Sequence, residues 1–342
     1  MTGSHAASAQ SPPSTEELDQ AAELTRAVSV AFRGQVVGQG RLLTSMLVAL
    51  MTEGHVLLES VPGLAKTLAS STLAKAVAAQ FSRIQCTPDL LPSDIVGTQV
   101  YDPRHHVFET QLGPVHANIV LLDEINRASA KTQSAMLEAM QERQTSIAGQ
   151  VHPLPRPFMV LATQNPIDDE GTYVLPQAQM DRFLLKEVLD YPSPDDETAM
   201  LDRIGDGRLG GGGGHGALVS GVIQPADVLA LQELTSRVYV DASVKRYIVE
   251  LVAATRDAEK VVGPEIGAYV ETGASPRGSI AFFAVARALA VLAGRDHVIP
   301  EDVRELRHSV LRHRIRLTFD ALADRVQPET VIDAVFAASP TP

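Results

Sequence analysis

Between His55 and Tyr191 the chain repeats one arrangement, a short apolar run followed by a longer stretch and then another apolar run. The runs HVLLE, SRIQC, ANIVLLDE, PFMVLATQN and FLLKEVLDY have strand length, and the segments at about 67–79, 130–142 and 177–182 carry helical periodicity. Strands covered on both faces are apolar along their whole length. Strands separated by helices lie parallel, because the connection must cross back over the sheet. This part of the chain is therefore expected to be an α/β unit built on a mainly parallel sheet.

Two stretches break the alternation. GTQVYDPRHHVFETQLG (97–113) and RQTSIAGQVHPLPRP (143–157) place short β-prone arms around turn residues, which predicts β-hairpins projecting from the core. Upstream, residues 1–14 are small and polar with a Pro pair, a composition that predicts a disordered tail. A helical pattern begins at Thr15, with Leu18, Ala22, Leu24 and Val28 in step and acidic residues in its first turn. The low-complexity segment IGDGRLGGGGGHGAL (204–218) reads as a flexible linker loop between an α/β core at 15–203 and a second domain at 219–342. In the second domain helical patterns run at about 225–237, 241–258, 276–293 and 301–314. Ser275 is placed as N-cap, Pro276 as first helical residue and Gly294 just past the end. The fold class is thus α/β with inserted β-hairpins, followed by a smaller all-helical domain.

The loop ESVPGLAKT (Glu59–Thr67) joins the first strand to the helix after it, where a phosphate-cradling loop belongs. The usual pattern is G-x-x-x-x-G-K-[ST], and here Ser60 stands at the first glycine and Ala65 at the second. Gly63, Lys66 and Thr67 fit. The context supplies the physics: the loop Ser60, Val61, Pro62, Gly63, Leu64 and Ala65, with Leu68 in the helical turn beyond, offers backbone N–H groups and a helix dipole to phosphate. Lys66 reaches the β- and γ-phosphates of ATP, and Thr67 ligates Mg²⁺. Because a serine resists positive φ, Ser60 raises a question about nucleotide affinity.

NIVLLDEINR adds a buried-type strand ending in Asp123 and Glu124. A carboxylate at that strand end, Asp123, holds the hydration shell of Mg²⁺, and Glu124 orients and activates the attacking water. VLATQNP ends in Asn165, whose amide can position the same water, although Asn before Pro also reads as a plain turn. Arg182, in QMDRF, and Arg277, in GASPRG, complete the constellation. A cation in a helix's first turn opposes the dipole, so Arg277 suggests an external anion; a surface salt bridge is the ordinary alternative for either arginine.

Taken in order, VVGQ, SVPGLAKT, LLDEINR, ATQNP, LPQAQMDRF and GASPRG resemble the MoxR family of AAA+ ATPases over about residues 20–320. The family-like stretches TPDLLPSDIVGT, NIVLLDEINRA and KTQSAMLEAMQERQ are more specific than a phosphate loop alone, and alanine before the lysine is common in the family. The resemblance implies an AAA+ P-loop core and a helical lid, assembled as a homo-oligomeric ring, a hexamer, with ATP between subunits. It also implies roles: Lys66 and Thr67 as Walker A, Asp123 and Glu124 as Walker B, Asn165 as sensor 1, Arg277 as sensor 2, and Arg182 as an arginine finger acting in trans. Val36, Val37 and Gly38 match the segment against adenine, and the hairpins match the helix-2 insert and the pre-sensor-1 insertion. The implied partners are client proteins with von Willebrand factor A-type (VWA) domains. Ser60, His116 and Gln177 depart from residues common in the family without removing a catalytic group.

The rest of the chain narrows the class. A formal net charge of −12 opposes a nucleic-acid footprint. The hairpin tips YDPRHHVFE and TSIAGQVHP hold one arginine and no lysine, which disfavours the runner-up, a nucleic-acid motor. An intact Glu124 argues against a scaffold that binds ATP without turnover. No run reaches the roughly 18 apolar residues of a membrane span, and no signal peptide is visible, so a cytoplasmic protein without membrane insertion is expected. Cys86, the one cysteine, reads as a buried structural thiol, His116 as a packing residue, and His105-His106 as an exposed tip without a metal-ligand set. In RELRHSVLRHRIRL the inward series Leu306, Val310 and Leu311 favours a lid helix over DNA contact.

Overall fold

The computed structural model describes residues 11–61, 63–165, 173, 175–206 and 221–342. Pro62, residues 1–10 of the expected tail and 207–218 of the expected linker lie outside them. The first helix, α1 (Thr15–Gln35), starts where the caps say it should. Ser14 accepts from the Glu17 N–H while the Glu17 carboxylate accepts from the Ser14 N–H, and Leu18, Ala21, Val28 and Phe32 form its buried stripe. Ser14 therefore belongs to the helix start and not to the tail. A helix absent from the sequence reading, α2 (Gly40–Met51), follows; from Leu42 to Met51 all of it except Thr44 is buried.

The core sheet takes β1 (Val56–Ser60), β2 (Phe81–Gln85), β5 (Ile119–Asp123), β8 (Met159–Gln164) and β9 (Leu185–Leu189) in the order β2-β5-β8-β1-β9, with every neighbouring pair parallel. Between these strands lie α3 (Lys66–Ala76), the short α4 (Pro92–Val96), α5 (Ala130–Glu142) and α6 (Gln177–Met180). Alternate residues face opposite sides. Val56, Leu58, Ile119, Leu121, Met159 and Leu161 join the apolar cluster of α1, α2, α3 and the C-terminal helices. Leu57, Val120, Leu122, Val160 and Ala162 pack with Met136, Leu137 and Met140 of α5 and with Phe158 and Phe183. Both predicted hairpins are present, β3 (Gly97–Asp102) with β4 (Val107–Leu112), and β6 (Gln144–Ile147) with β7 (Gln150–Pro153). The second turns at Ala148-Gly149 with both φ positive, as a two-residue hairpin loop requires.

After β9 comes α7 (Pro194–Gly205), also absent from the sequence reading and opened by a Ser193 capping box. The C-terminal part contains α8 (Pro225–Arg237), α9 (Ala242–Arg256), α10 (Ala258–Val262), α11 (Pro264–Gly267), β10 (Val270–Thr272), α12 (Pro276–Leu292), α13 (Pro300–Glu305), α14 (Arg307–Leu311), β11 (Arg316–Leu317), α15 (Phe319–Ala323) and α16 (Pro328–Ala338). Ser275 caps α12 and Pro276 opens it, as expected. Two expectations need correction. The lid is not all-helical, because β10 and β11 pair antiparallel. The single helix expected at 301–314 is two, broken at Leu306, whose backbone (φ −108, ψ 27) leaves the helical region. The basic residues there find partners within the chain: Arg304 donates to Tyr247 and the Phe336 carbonyl, Arg307 pairs with Asp333 and Arg312 with Glu329. Among the described residues no helix is long and apolar enough to cross a membrane.

Candidate active site

The phosphate loop leaves the carboxyl end of β1, in the interior of the sheet between β8 and β9. Ser60 is the last residue of that strand and is buried at 3% exposure, with its hydroxyl donating to the Val61 carbonyl at 3.1 Å. The concern about positive φ thus falls elsewhere, on Gly63 (φ +88) and Ala65 (φ +53). A Cβ on Gly63 would meet nothing within 4 Å, so it is the backbone angle that favours glycine there. Ala65 stands as N-cap of α3 in the left-handed region, which costs an ordinary residue roughly 1–2 kcal/mol. Leu64 anchors the loop in the core. No side chain caps α3 and no acidic residue stands in its first turn, so its N–H groups and dipole are available to an anion. Burial lowers the Lys66 ammonium below its ordinary value, with the Asp123 and Glu124 carboxylates opposing the fall.

Register sets the acidic groups beside this loop. Glu59 is level with Gln164, and Leu122 with Ala162, so β1, β8 and β5 end together and deliver Ser60, Asn165 and Asp123-Glu124 to one edge. Asp123, 8% exposed, accepts from Thr163 Oγ1 at 2.8 Å and from Arg83 Nη2 at 2.6 Å. Thr163 in turn accepts from the Glu124 N–H at 2.8 Å. Glu124 has a left-handed backbone (φ 57, ψ 53), and its Oε2 accepts from Gln85 Nε2 and from Arg127 Nη1, both at 3.0 Å. Asn165 is buried at the end of β8. One row behind, Glu59 accepts from Gln164 and pairs with Lys186 at 2.8 Å, tying β8, β1 and β9 together.

The sequence reading missed Arg83, Gln85, Arg127 and Thr163. The available signal was Arg83 and Gln85 at alternate positions of β2, polar residues on one face of an otherwise strand-like run beside the acidic strand.

Val36 is buried and Val37 half-buried. Gly38 (φ +73) has a backbone angle that favours glycine, and a Cβ there would crowd the Asp196 side chain near the start of α7, at 2.9 Å from its Cγ. Cys86 is buried, and burial pushes its thiol up to about 12, an unreactive state. His116 bonds Thr145 Oγ1 at 2.9 Å, and His105 pairs with Asp102 on an exposed tip. Among the described residues no His, Cys, Asp and Glu group of metal-binding size occurs.

The two arginines are not brought to the phosphate loop of their own chain. Arg182 stands just ahead of β9, at the amino end of the parallel sheet, whereas the phosphate loop follows the carboxyl end of β1. A five-residue strand separates those edges by about 17 Å. Arg277, in the first turn of α12, shares with Arg182 a cleft of about 290 Å³ that Gly54, His55, Asp181, Leu184 and Arg314 also line. None of Lys66, Thr67, Asp123, Glu124 and Asn165 lines it. Both arginines are exposed, Arg182 donates to Gln141 Oε1 at 3.0 Å, and among the described residues neither pairs with a carboxylate.

Comparison with known proteins agrees with this architecture. Residues 55–185 match the family described as ATPase family associated with various cellular activities (AAA), and residues 266–335 match the AAA lid domain. The chain is 48% identical to Chaperone MoxR1 of Mycobacterium tuberculosis over 337 residues, 97% of this chain and 87% of that protein. It is 30% identical to Protein MoxR of Paracoccus denitrificans, covering 93% of this chain and 96% of that one. A crystal structure of a Cytophaga hutchinsonii protein superposes with a TM-score of 0.88 at 40% identity, covering 96% of this chain and 97% of that one.

Proposed function

The chain belongs to the MoxR family of AAA+ ATPases, and from that premise we propose that it is a Mg²⁺-dependent ATPase working as a ring of six copies that remodels client proteins. The observation that carries the ring is the separation of its charges, since Arg182 and Arg277 lie at the opposite edge of the sheet from Lys66 and Glu124. These two cations, without a carboxylate partner among the described residues, serve the nucleotide of the next copy. In this reading residues 15–203 are the ATPase core and 219–342 the lid.

Within one copy, the N–H groups of the loop and of the first turn of α3 receive the phosphates, and Lys66 reaches the β- and γ-phosphates. Val36, Val37 and Gly38 lie against adenine. The Thr67 hydroxyl and the Asp123 carboxylate are hard oxygen donors suited to Mg²⁺, which when bound neutralises charge on the phosphate oxygens. Asn165 orients the attacking water and Glu124 takes its proton as the water oxygen bonds to the γ-phosphorus and the bond to the β-phosphate oxygen breaks, leaving ADP and phosphate. Gln85 and Arg127 both hold Oε2 of the Glu124 carboxylate, which orients its other oxygen to take that proton. Arg182 and Arg277 of the neighbouring copy meet the charge that develops.

The clients are proteins, with VWA-domain proteins as the specific expectation and the cytoplasm as the place of work. A net charge of −12 and lysine-free hairpin tips favour protein over nucleic acid. Phosphate release by the full chain, with and without Mg²⁺, tests the enzymatic reading, and capture on ATP-loaded Glu124→Gln protein identifies the clients. Phosphate release that Glu124→Gln leaves unchanged would remove Glu124 as the base and the reading with it.

A further inference from the structure

Asp181, immediately ahead of Arg182, ties the core to the lid at the arginine cleft. Its Oδ1 accepts from Arg314 Nε at 2.9 Å, and its Oδ2 accepts from the Ser275 hydroxyl at 2.6 Å. Ser275 caps α12, two residues before Arg277, and accepts the Arg277 N–H at 3.1 Å. Arg314, 4% exposed, also donates to the carbonyls of Phe183 at 2.7 Å and Leu184 at 3.1 Å. His313 beside it bonds the Phe183 carbonyl at 3.1 Å, and its own carbonyl accepts from Gln177 at 2.7 Å. The backbone on both sides of Arg182, and the cap of the helix carrying Arg277, therefore hang on one buried ion pair.

A buried ion pair is a weak device for stability, since desolvation offsets most of its attraction, but it holds geometry tightly. Burial draws the Arg314 guanidinium down to about 10, with Asp181 opposing that fall and nearby Arg277 adding to it. Arg314 is thus held charged beside two further arginines by a single carboxylate that also grips the α12 cap. We propose that Asp181 is a positioning residue: clamped by Arg314 and bonded to Ser275, it sets the spacing of Arg182 and Arg277 so that both reach the same polyphosphate on the adjacent copy. This rests on the reading that the two arginines act on a neighbour's nucleotide.

The test uses full-length Asp181→Asn with ATP as the probe. Its own phosphate loop is intact, so ATP affinity should stay within about threefold while kcat falls on the order of 10²-fold, the loss that a misplacement of about 1 Å brings. Mixed with Glu124→Gln, Asp181→Asn should regain activity, because the former supplies correctly placed arginines and the latter an intact base. Mixed with Arg182→Ala it should regain none, since both variants fail on the same side. A purely structural role would not sort the mixtures this way. Arg182→Ala with Glu124→Gln is the control; if that pair stays inactive although labelled subunits exchange, the trans reading fails and this inference with it. If the control recovers but Asp181→Asn with Glu124→Gln does not, or if Asp181→Asn alone keeps full kcat, the positioning role alone is overturned. Should Asp181→Asn not fold, Ser275→Ala keeps the ion pair. It should lower kcat severalfold with the same sorting of mixtures, and unchanged kcat there overturns the proposal.

Discussion

The two charged regions of this molecule are built in different ways. The phosphate side takes Ser60, Asp123, Glu124 and Asn165 from the ends of three neighbouring parallel strands, whose register brings them level without help from the lid. The arginine side takes Arg182 from the loop before β9, Arg277 from α12 and Arg314 from beyond α14, and these meet only where lid packs on core. One site is preassembled by a sheet; the other is assembled by an interface between two parts of the chain. On the proposed function, binding nucleotide is a property of a single core, whereas turnover depends on the seating of the lid and on a second copy.

The largest effects should separate binding from turnover. Glu124→Gln should lower kcat by about 10³-fold while leaving ATP affinity nearly unchanged, since the carboxylate acts on the water and not on the phosphates. Phosphate release and calorimetric titration check the pair of values, and a large loss of affinity would mean that the two regions are not separable. Arg277→Ala should follow, losing about 10²-fold in kcat as one donor to developing charge is removed. ATP affinity measured below the concentration at which copies assemble should not change; weakened affinity there would put Arg277 on its own nucleotide.

Acid should act on the arginine side. His55 lies under the cleft, with Nδ1 accepting from the Val160 N–H at 3.0 Å and Nε2 donating to the Met140 carbonyl at 3.2 Å. Burial draws this imidazole down to about 4, with the Met140 carbonyl opposing and Arg143 adding to the fall. The unfolded chain takes up that proton more readily, so the stabilisation is present above about pH 6.5 and is lost as pH falls from there to about 4. The loss is on the order of 3 kcal/mol. Melting temperature followed over that range should drop, and it should drop less steeply in His55→Gln; equal slopes would show that His55 is not responsible.

The smallest effects concern the loop. Ser60→Gly should not tighten ATP binding, because Ser60 is already extended and hydrogen-bonded, and a glycine in a strand destabilises by roughly 0.5–1 kcal/mol. Ala65→Gly should raise the melting temperature, relieving about 1 kcal/mol of left-handed strain. Titration and thermal melts decide both, and tighter binding in Ser60→Gly would restore the idea that the serine constrains the loop.

The contrast between the regions also explains what was legible in the sequence. Lys66, Asp123 and Asn165 could be placed together because Lys66 opens the helix after a strand while Asp123 and Asn165 stand at or just past strand ends, and a parallel sheet brings such ends to one edge. The hairpins were legible from their turns. The helix α2 was not, since its continuous apolar run Met46–Met51 does not by itself separate helix from strand, and the break at Leu306 was hidden inside a continuous basic and apolar pattern. Ser60 was misjudged because a motif gives residue types but not φ. Arg314, Asp181 and Ser275 were invisible as a group, because only the packing of lid on core brings these distant positions together.

The claim that the phosphate side of one copy works with the arginine side of another is tested most directly by mixing two variants, each intact where the other is broken. Arg182→Ala alone should bind ATP normally and lose on the order of 10³-fold in turnover. Combined with Glu124→Gln under conditions where labelled subunits exchange, it should recover a substantial part of the wild-type phosphate release, because some interfaces then pair an intact Glu124 with an intact Arg182. A mixture that exchanges freely and stays as inactive as its components contradicts the claim.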